Sequence, residues 1–302
     1  MAGVIRIMGR MGSGAGGAER VAEFEEYRDH LWGVAYRILG TRTDADDAVQ
    51  EAWLRWRHAD VAQVRDVRAY LTTTVSRICY DLLTSARARR EAYAGPWLPE
   101  PVVKEPGPED RAAMDDSVSM AMLAVLERLT AAERVAFVLH DVFGVPFGEI
   151  AQVVGRSDEA VRPLASRARA KVREHGPRRT TDRSTHRQAV EAFAAAALNG
   201  DLSGLVAALD PDVVWRSDGG GAVSAALQPV VGADRVARLV HGLVNRWLES
   251  MTVEFAEVNG GLGVVVRGVD GTADTVAAFS VAEDGRVTEV DVVRNPAKLA
   301  AV

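Results

Sequence analysis

The sequence predicts a multidomain chain in which two all-α units precede an α+β unit, and three observations carry that expectation. Residues 21–92 and 111–176 place apolar side chains at helical spacing, while the segment between them, residues 93–110, holds Pro96, Pro99, Pro101, Pro106 and Pro108, which forbid a continuous helix. Beyond Gly176 and Pro177 a polar linker, residues 177–185, leads into a third unit over 186–302 with two helical patterns followed by valine-rich runs. Turn signals at Asn259-Gly260-Gly261, Asp270-Gly271 and Asp284-Gly285 divide those runs at hairpin spacing, which suits an antiparallel meander of about four strands.

Composition removes several classes. With 302 residues, 48% hydrophobic and 26% charged, the chain is globular, neither disordered nor fibrous. The single cysteine, Cys79, excludes an internal disulfide and a multi-cysteine zinc site and fits a reducing compartment. No run approaches the ~18 apolar residues of a spanning helix. Arg6, Arg10 and glycines interrupt residues 1–20 where a signal peptide would be apolar, so a cytoplasmic protein is expected, with a flexible tail over 1–20 in which Met8 and Met11 are alternative starts. No metal, cofactor or membrane partner is expected.

The first unit carries two informative helices. In residues 44–57, Ala45, Ala48, Val49, Ala52, Trp53 and Trp56 form one apolar stripe, and Asp44, Asp47 and Glu51 with Leu54 make an anionic ridge on the other side. Such a ridge can dock on a basic partner helix or complement the helix dipole. Residues 66–90 bury Val67, Tyr70, Leu71, Thr74, Val75, Ile78 and Leu82 and expose Thr73, Ser76, Tyr80, Thr84 and Arg87, ending in Arg87, Arg89 and Arg90. A polar face with a tyrosine and terminal arginines suits a nucleic-acid strand, since arginine neutralises phosphate and an aromatic ring supports an unstacked base.

In the second unit a stripe of Val118, Met122, Val125, Leu126 and Leu129 precedes Thr130 and Glu133, a capping box opening the next helix. A short helix from Pro146, a turn at Gly155 and a helix capped by Ser157 and running to about Glu174 then follow helix-turn-helix grammar. The net charge of -6 conceals a basic stretch here: residues 161–180 carry seven basic side chains against one acidic. Val161, Leu164, Ala165, Ala168 and Val172 seat the last helix, leaving Arg162, Ser166, Arg167, Arg169 and Arg173 for DNA. Pro163 removes one backbone bond from that helix, at a cost of ~3 kcal/mol unless the helix kinks.

The acidic helix, the arginine-ended helix and the helix-turn-helix, in this order, resemble regions 2 and 4 of an extracytoplasmic-function (ECF) RNA polymerase sigma factor. The linker Trp97-Leu98-Pro99-Glu100-Pro101, the loop Asp218-Gly219-Gly220-Gly221 and the tail Asn295-Pro296-Ala297-Lys298-Leu299 resemble the subgroup with a fused C-terminal SnoaL-like cone. The resemblance implies region 2 over 21–92, region 4 over 111–176 and the cone over 186–302. It implies core RNA polymerase binding, on the beta-prime clamp helices and beta flap, with Asp44, Asp47, Gln50 and Glu51 on the clamp. Ser76, Arg77, Tyr80, Asp81 and Arg87 would meet the single-stranded minus-ten element, and Arg162, Ser166 and Arg167 the minus-thirty-five major groove.

The resemblance also makes the cone an internal regulator contacting the linker through Trp97, Pro99, Asp218, Gly219, Asn295 and Lys298, so that a monomer needs no separate anti-sigma factor. An acidic residue is frequent in the subgroup where Ala297 stands here. SnoaL-like relatives include cyclases and isomerases, for which Asp218, His241, Arg267 and Asp291 are the nominated acid–base groups. The alternative function is therefore a small-molecule sensor or a cyclase- or isomerase-like enzyme with attached DNA-binding helices, and the expectation adopted is a sigma factor with no catalytic residue.

Overall fold

The computed structural model describes residues 15–91, 93–104, 119–176, 182–247 and 250–302. The expectations for residues 1–14, for the linker from 105, for Val118, for 177–181 and for the side chains of Arg87, Arg89, Arg90 and Trp247 lie outside what is described.

Three helices form the first unit: α1 (Ala15–Leu39), α2 (Arg42–His58) and α3 (Val67–Glu91). Residues 15–20, expected in a flexible tail, are instead the first turns of α1, where Arg20 donates to the Arg57 carbonyl and its own carbonyl accepts from the Trp56 indole. Gly40 stops α1 at φ +77, a left-handed position that glycine adopts without strain. The α2 stripe is buried as expected at Ala45, Ala48, Val49, Ala52 and Trp56, with Trp53 half-buried. The second unit is α4 (Met120–Leu126), α5 (Ala131–Phe137) continued by a π-helical turn over Val138–Val142, α6 (Phe147–Val154) and α7 (Asp158–His175). Thr130 and Glu133 form the reciprocal capping box, Gly155 makes the left-handed turn, and Ser157 caps α7. At Pro163, which is exposed, α7 remains one helical run, so the cost of the lost bond is not relieved by breaking the helix.

Both helical units share a single core. Phe24, Leu31, Trp56, Leu71 and Val75 from the first belong to one apolar cluster with Leu123, Leu139, Ile150, Val161 and Leu164 from the second. One expectation is corrected here. Ser76 is fully buried rather than exposed, and Tyr80 is half-buried against the same cluster, because α6 lies over that face of α3.

The C-terminal unit packs α8 (Arg183–Leu198), α9 (Leu202–Ala208) and α10 (Ala233–Trp247) on one face of a seven-stranded sheet. Its strands are β1 (Val103–Lys104), β2 (Leu209–Asp218), β3 (Val230–Val231), β4 (Met251–Val258), β5 (Gly261–Gly268), β6 (Ala273–Val281) and β7 (Val287–Val293), in the order β1-β4-β5-β6-β7-β2-β3. The expected meander is β4 to β7. Three additions were not expected: β2 lies parallel to β7, β3 pairs antiparallel with β2, and β1, which belongs to the linker, pairs with β4 at Val103 opposite Val258. A short helix α11 (Pro296–Leu299), capped by the Asn295 side chain, follows β7.

Strand alternation gives the sheet two different faces. Val264, Ala277, Val290 and Val292 point to the helices of the cone. Their neighbours Val265, Val276, Ala278 and Val293 point outward and form a second cluster with Leu98 of the linker, Met120 of α4 and Leu299 of α11. The convex side of the cone is therefore the surface on which the linker and the second helical unit rest.

Candidate functional site: a clasp on the linker

The densest polar arrangement lies where the linker crosses the end of β2. Asp218 is completely buried. Its Oδ1 accepts from the Tyr93 hydroxyl at 2.6 Å and from Gly220 N–H at 3.0 Å, and its Oδ2 accepts from Leu98 N–H at 2.9 Å and from Lys298 Nζ at 2.7 Å. Four donors thus satisfy both carboxylate oxygens. Lys298 also donates to the Leu98 carbonyl and sits 3.9 Å from the centre of the Trp97 ring, a cation–π contact away from water. Asn295 donates to the Tyr93 hydroxyl at 2.8 Å and caps α11 through its Oδ1. Burial and the bond to Asp218 push the Tyr93 phenol pKa up, so this hydroxyl stays a donor.

Backbone shape makes the arrangement possible. A Cβ at Gly220, φ +63, would fall 2.5 Å from the Asn295 amide, and one at Gly219 would fall 2.5 Å from the Val223 carbonyl. Of the six residues expected at the linker contact, Trp97, Asp218, Asn295 and Lys298 meet directly, Gly219 shapes the loop, and Pro99 is buried beside them. Tyr93 is a central member that the sequence reading missed.

Further along, the same linker is tied to the first helical unit. Glu100 donates its N–H to the Gly40 carbonyl at 2.8 Å, accepts from the Tyr36 hydroxyl at its carbonyl at 2.8 Å, and accepts from Arg42 N–H at its carboxylate at 2.9 Å. Burial raises the Glu100 pKa, opposed by the bond from the Arg42 backbone. Asn259, at the turn between β4 and β5, donates to the Tyr36 hydroxyl at 2.8 Å and exchanges two bonds with the backbone of Val102. A Cβ at Gly40 would lie 3.0 Å from Trp97, 3.1 Å from Glu127 and 3.2 Å from Arg134, so both helical units and the linker meet at that glycine.

The residues assigned by resemblance to other partners fall in two groups. Asp44, Asp47 and Gln50 are exposed on α2, with Glu51 half-exposed and paired to Arg55 at 3.0 Å; Leu54 beside them is 41% exposed. This ridge is open. The α3 set is covered in part: Ser76 is buried, Tyr80 is half-buried, and the exposed Arg77 donates from Nε and Nη2 to the Gln152 carbonyl of α6 at 3.2 and 3.1 Å, while Asp81 is exposed.

On α7, Ser166 is exposed, and Arg162 pairs with Asp158 at 3.1 Å while lying over the Phe147 ring at 4.8 Å. Arg167 and Arg169, expected to face DNA, pair with Glu133 at 3.1 Å and with Asp141 at 2.6 Å, and their side chains stay 56% and 37% exposed. Burial raises the Glu133 pKa, but the bonds from Lys171, Thr130 and Arg167 outweigh it and hold the carboxyl at about 2. A depressed folded-state pKa gives stability that is present above the unfolded value of 4.5 and lost as pH falls toward about 2. Glu133→Gln is therefore expected to lower stability at pH 7 and to flatten its fall between pH 4.5 and 2 in urea unfolding; an unchanged acid limb contradicts the pairing.

None of the four nominated acid–base groups lines the cavity of the cone. Asp218 belongs to the clasp, Asp291 pairs with Arg216 at 2.7 Å on the outer face, Arg267 pairs with Glu254 at 3.0 Å, and His241 shares a hydrogen bond with Asn245. Among the described residues no group of His, Cys, Asp or Glu is placed to hold a metal ion.

Comparison with known proteins agrees with this architecture. Residues 24–89 match the Sigma-70 region 2 family and residues 119–172 the Sigma-70 region 4 family. The ECF RNA polymerase sigma factor SigJ of Mycobacterium tuberculosis is 43% identical over 290 residues, covering 92% of each chain, and the probable ECF sigma factor SigI of the same species is 36% identical over 281 residues, covering 92% of this chain and 94% of that one. The crystal structure of SigJ superposes with a TM-score of 0.75 at 42% identity, covering 93% of this chain and 98% of that chain. The chain belongs to the ECF RNA polymerase sigma factors, proteins of promoter-specific transcription initiation, and carries a SnoaL-like cone after regions 2 and 4.

Proposed function

We propose that this sigma factor is restrained in cis by its cone, and that the clasp on the linker is the restraint. The observation that carries the reading is that Asp218, Tyr93, Leu98 and Lys298 fix the linker on the cone while α6 lies over Ser76 and Tyr80 of α3 and holds the exposed Arg77 by its Gln152 carbonyl. A strand of unstacked bases cannot reach a face that is packed under another helix. Core RNA polymerase docks first on the open ridge of Asp44, Asp47, Gln50 and Glu51, through its beta-prime clamp helices, with the beta flap receiving region 4. Separation of the two regions then uncovers Ser76 and Tyr80 and releases Arg77 from α6, so that with Asp81 and Arg87 they meet the minus-ten element, and it presents Arg162, Ser166 and Arg167 to the minus-thirty-five groove. Arg167 exchanges Glu133 for phosphate or base in that step.

The cone acts as a regulator without catalysis, in a cytoplasmic monomer that needs no separate anti-sigma factor. Supporting that reading, the nominated acid–base groups are engaged away from the cavity, and no described helix is long and apolar enough to cross a membrane. The test is run-off transcription by purified core polymerase on promoter-bearing fragments, with the full chain and with Lys298→Ala. The full chain is expected to give promoter-dependent transcripts, and the variant to change their yield severalfold. Chain-dependent transcripts unaltered by Lys298→Ala contradict restraint by the clasp, and absence of both transcripts and core binding favours the sensor or enzyme reading.

A further inference from the structure

The concave side of the cone encloses a cavity of about 580 Å³, within the range of small-molecule sites. Phe193, Trp215, Leu243, Val264, Phe279 and Val292 make its walls apolar, its polar end is formed by Ser217, Asp274, Thr275 and Arg294, and the exposed Arg246 also lines it. Charge at the polar end is already balanced. Arg294 Nη2 donates to Asp274 Oδ1 at 3.1 Å and Oδ2 at 2.9 Å, and its Nη1 donates to the Ser224 carbonyl at 2.6 Å. An ionised group placed at that end would therefore be buried against an arginine whose charge Asp274 already offsets, which is costly. Ser217 is different: its Oγ accepts from Ala226 N–H at 3.0 Å, and among the described residues nothing takes the hydroxyl hydrogen. A buried hydroxyl donor without an acceptor, in an apolar cavity, fits a ligand oxygen.

The polar end is also joined to the clasp by the chain itself. Because side chains alternate along a strand, Ser217 faces the cavity and Asp218 faces the linker. Arg294 lines the cavity and Asn295 bonds Tyr93; Ser224 and Ala226 belong to the loop that begins at Gly219 and Gly220. We infer that this cavity binds an uncharged, largely apolar carbonyl compound, a ketone, ester or lactone whose oxygen accepts from Ser217, and that occupancy is transmitted through Asp218 and Asn295 to the linker. The inference supplies a signal for the restraint proposed above, and rests on that reading only for its effect on transcription.

The test uses the full chain and the neutral fluorescent ketone 6-propionyl-2-dimethylaminonaphthalene. Saturable binding with a blue-shifted emission is expected, competed by decan-2-one and not by decanoate. Ser217→Ala should weaken the probe about fivefold to tenfold, the worth of one hydrogen bond, while the analogue with propyl in place of propionyl binds both proteins alike. Leu243→Trp should fill the cavity and abolish binding. Saturation with the probe should also change hydrogen exchange at the Leu98 amide, which Asp218 holds. Absence of saturable binding, equal affinity in Ser217→Ala, competition by decanoate, or an unchanged Leu98 amide at saturation each overturns the inference. These readouts do not involve polymerase, so an ineffective Lys298→Ala in transcription defeats the restraint and leaves the cavity to be judged by its own result.

Discussion

Asp218→Ala is expected to destabilise the closed chain by about 3–5 kcal/mol, the range seen when one member of a buried ion pair is removed. The Lys298 and Asp218 side chains are 9% and 0% exposed, so the ammonium left behind loses its paired carboxylate in a site with little access to water. The Leu98 N–H and the Tyr93 hydroxyl lose their acceptor in the same substitution. A double variant, Asp218→Asn with Lys298→Met, removes both charges, keeps an acceptor for Leu98, and is expected to lose markedly less. Urea unfolding of the full chain gives the comparison, with exchange at the Leu98 amide as the local reading. Equal midpoints for Asp218→Ala and the parent chain would mean that the clasp contributes nothing to the closed state.

Reversal of the α2 ridge, Asp47→Lys with Glu51→Lys, is expected to weaken core polymerase binding at least tenfold while leaving unfolding nearly unchanged. Both side chains lie on the open face of the helix, and the one ion pair lost, Glu51 with Arg55, is an exposed i,i+4 contact of the kind worth ~0.3–0.5 kcal/mol before screening. At an interface, by contrast, juxtaposed like charges cost several kcal/mol. Fluorescence anisotropy with labelled chain and core enzyme separates the two effects. Retained affinity in the doubly reversed chain would place the polymerase contact elsewhere.

Local signals in the sequence proved readable where one element decides the outcome. The Thr130–Glu133 box, the Gly155 turn, the Ser157 cap and the glycine turns of the meander all depend on neighbours a few residues apart. Burial of Ser76 depends on α6, some seventy residues away, and a polar side chain at a solvent-type position of an isolated helix gives no sign of it. The acid–base nominations at Asp218 and Asp291 misplace those residues for a related reason. Recognition of β2 from Leu209, Val213 and Trp215 would have put Trp215 and Ser217 inside and Asp218 outside by alternation. Proline and the acidic residues Asp210 and Asp212 mask that strand. Tyr93 and Tyr36 carry no motif of their own, and the motifs that hold Glu100 and Asn259 do not say what they bond; only the meeting of the linker with the first unit and the cone makes these four part of the site.

The most direct test of the closed arrangement is the distance between regions 2 and 4 with and without polymerase. Ala62 and Ala170 are exposed positions in the two regions and accept cysteine-linked spin labels once Cys79, which is buried, is replaced by alanine or left unreacted. Double electron–electron resonance on the free chain is expected to give one narrow distance. Binding to core polymerase should shift it to a longer one, and the Asp218→Asn, Lys298→Met chain should already populate part of that longer distance before polymerase is added. An identical distribution in the free and polymerase-bound chains would contradict the account.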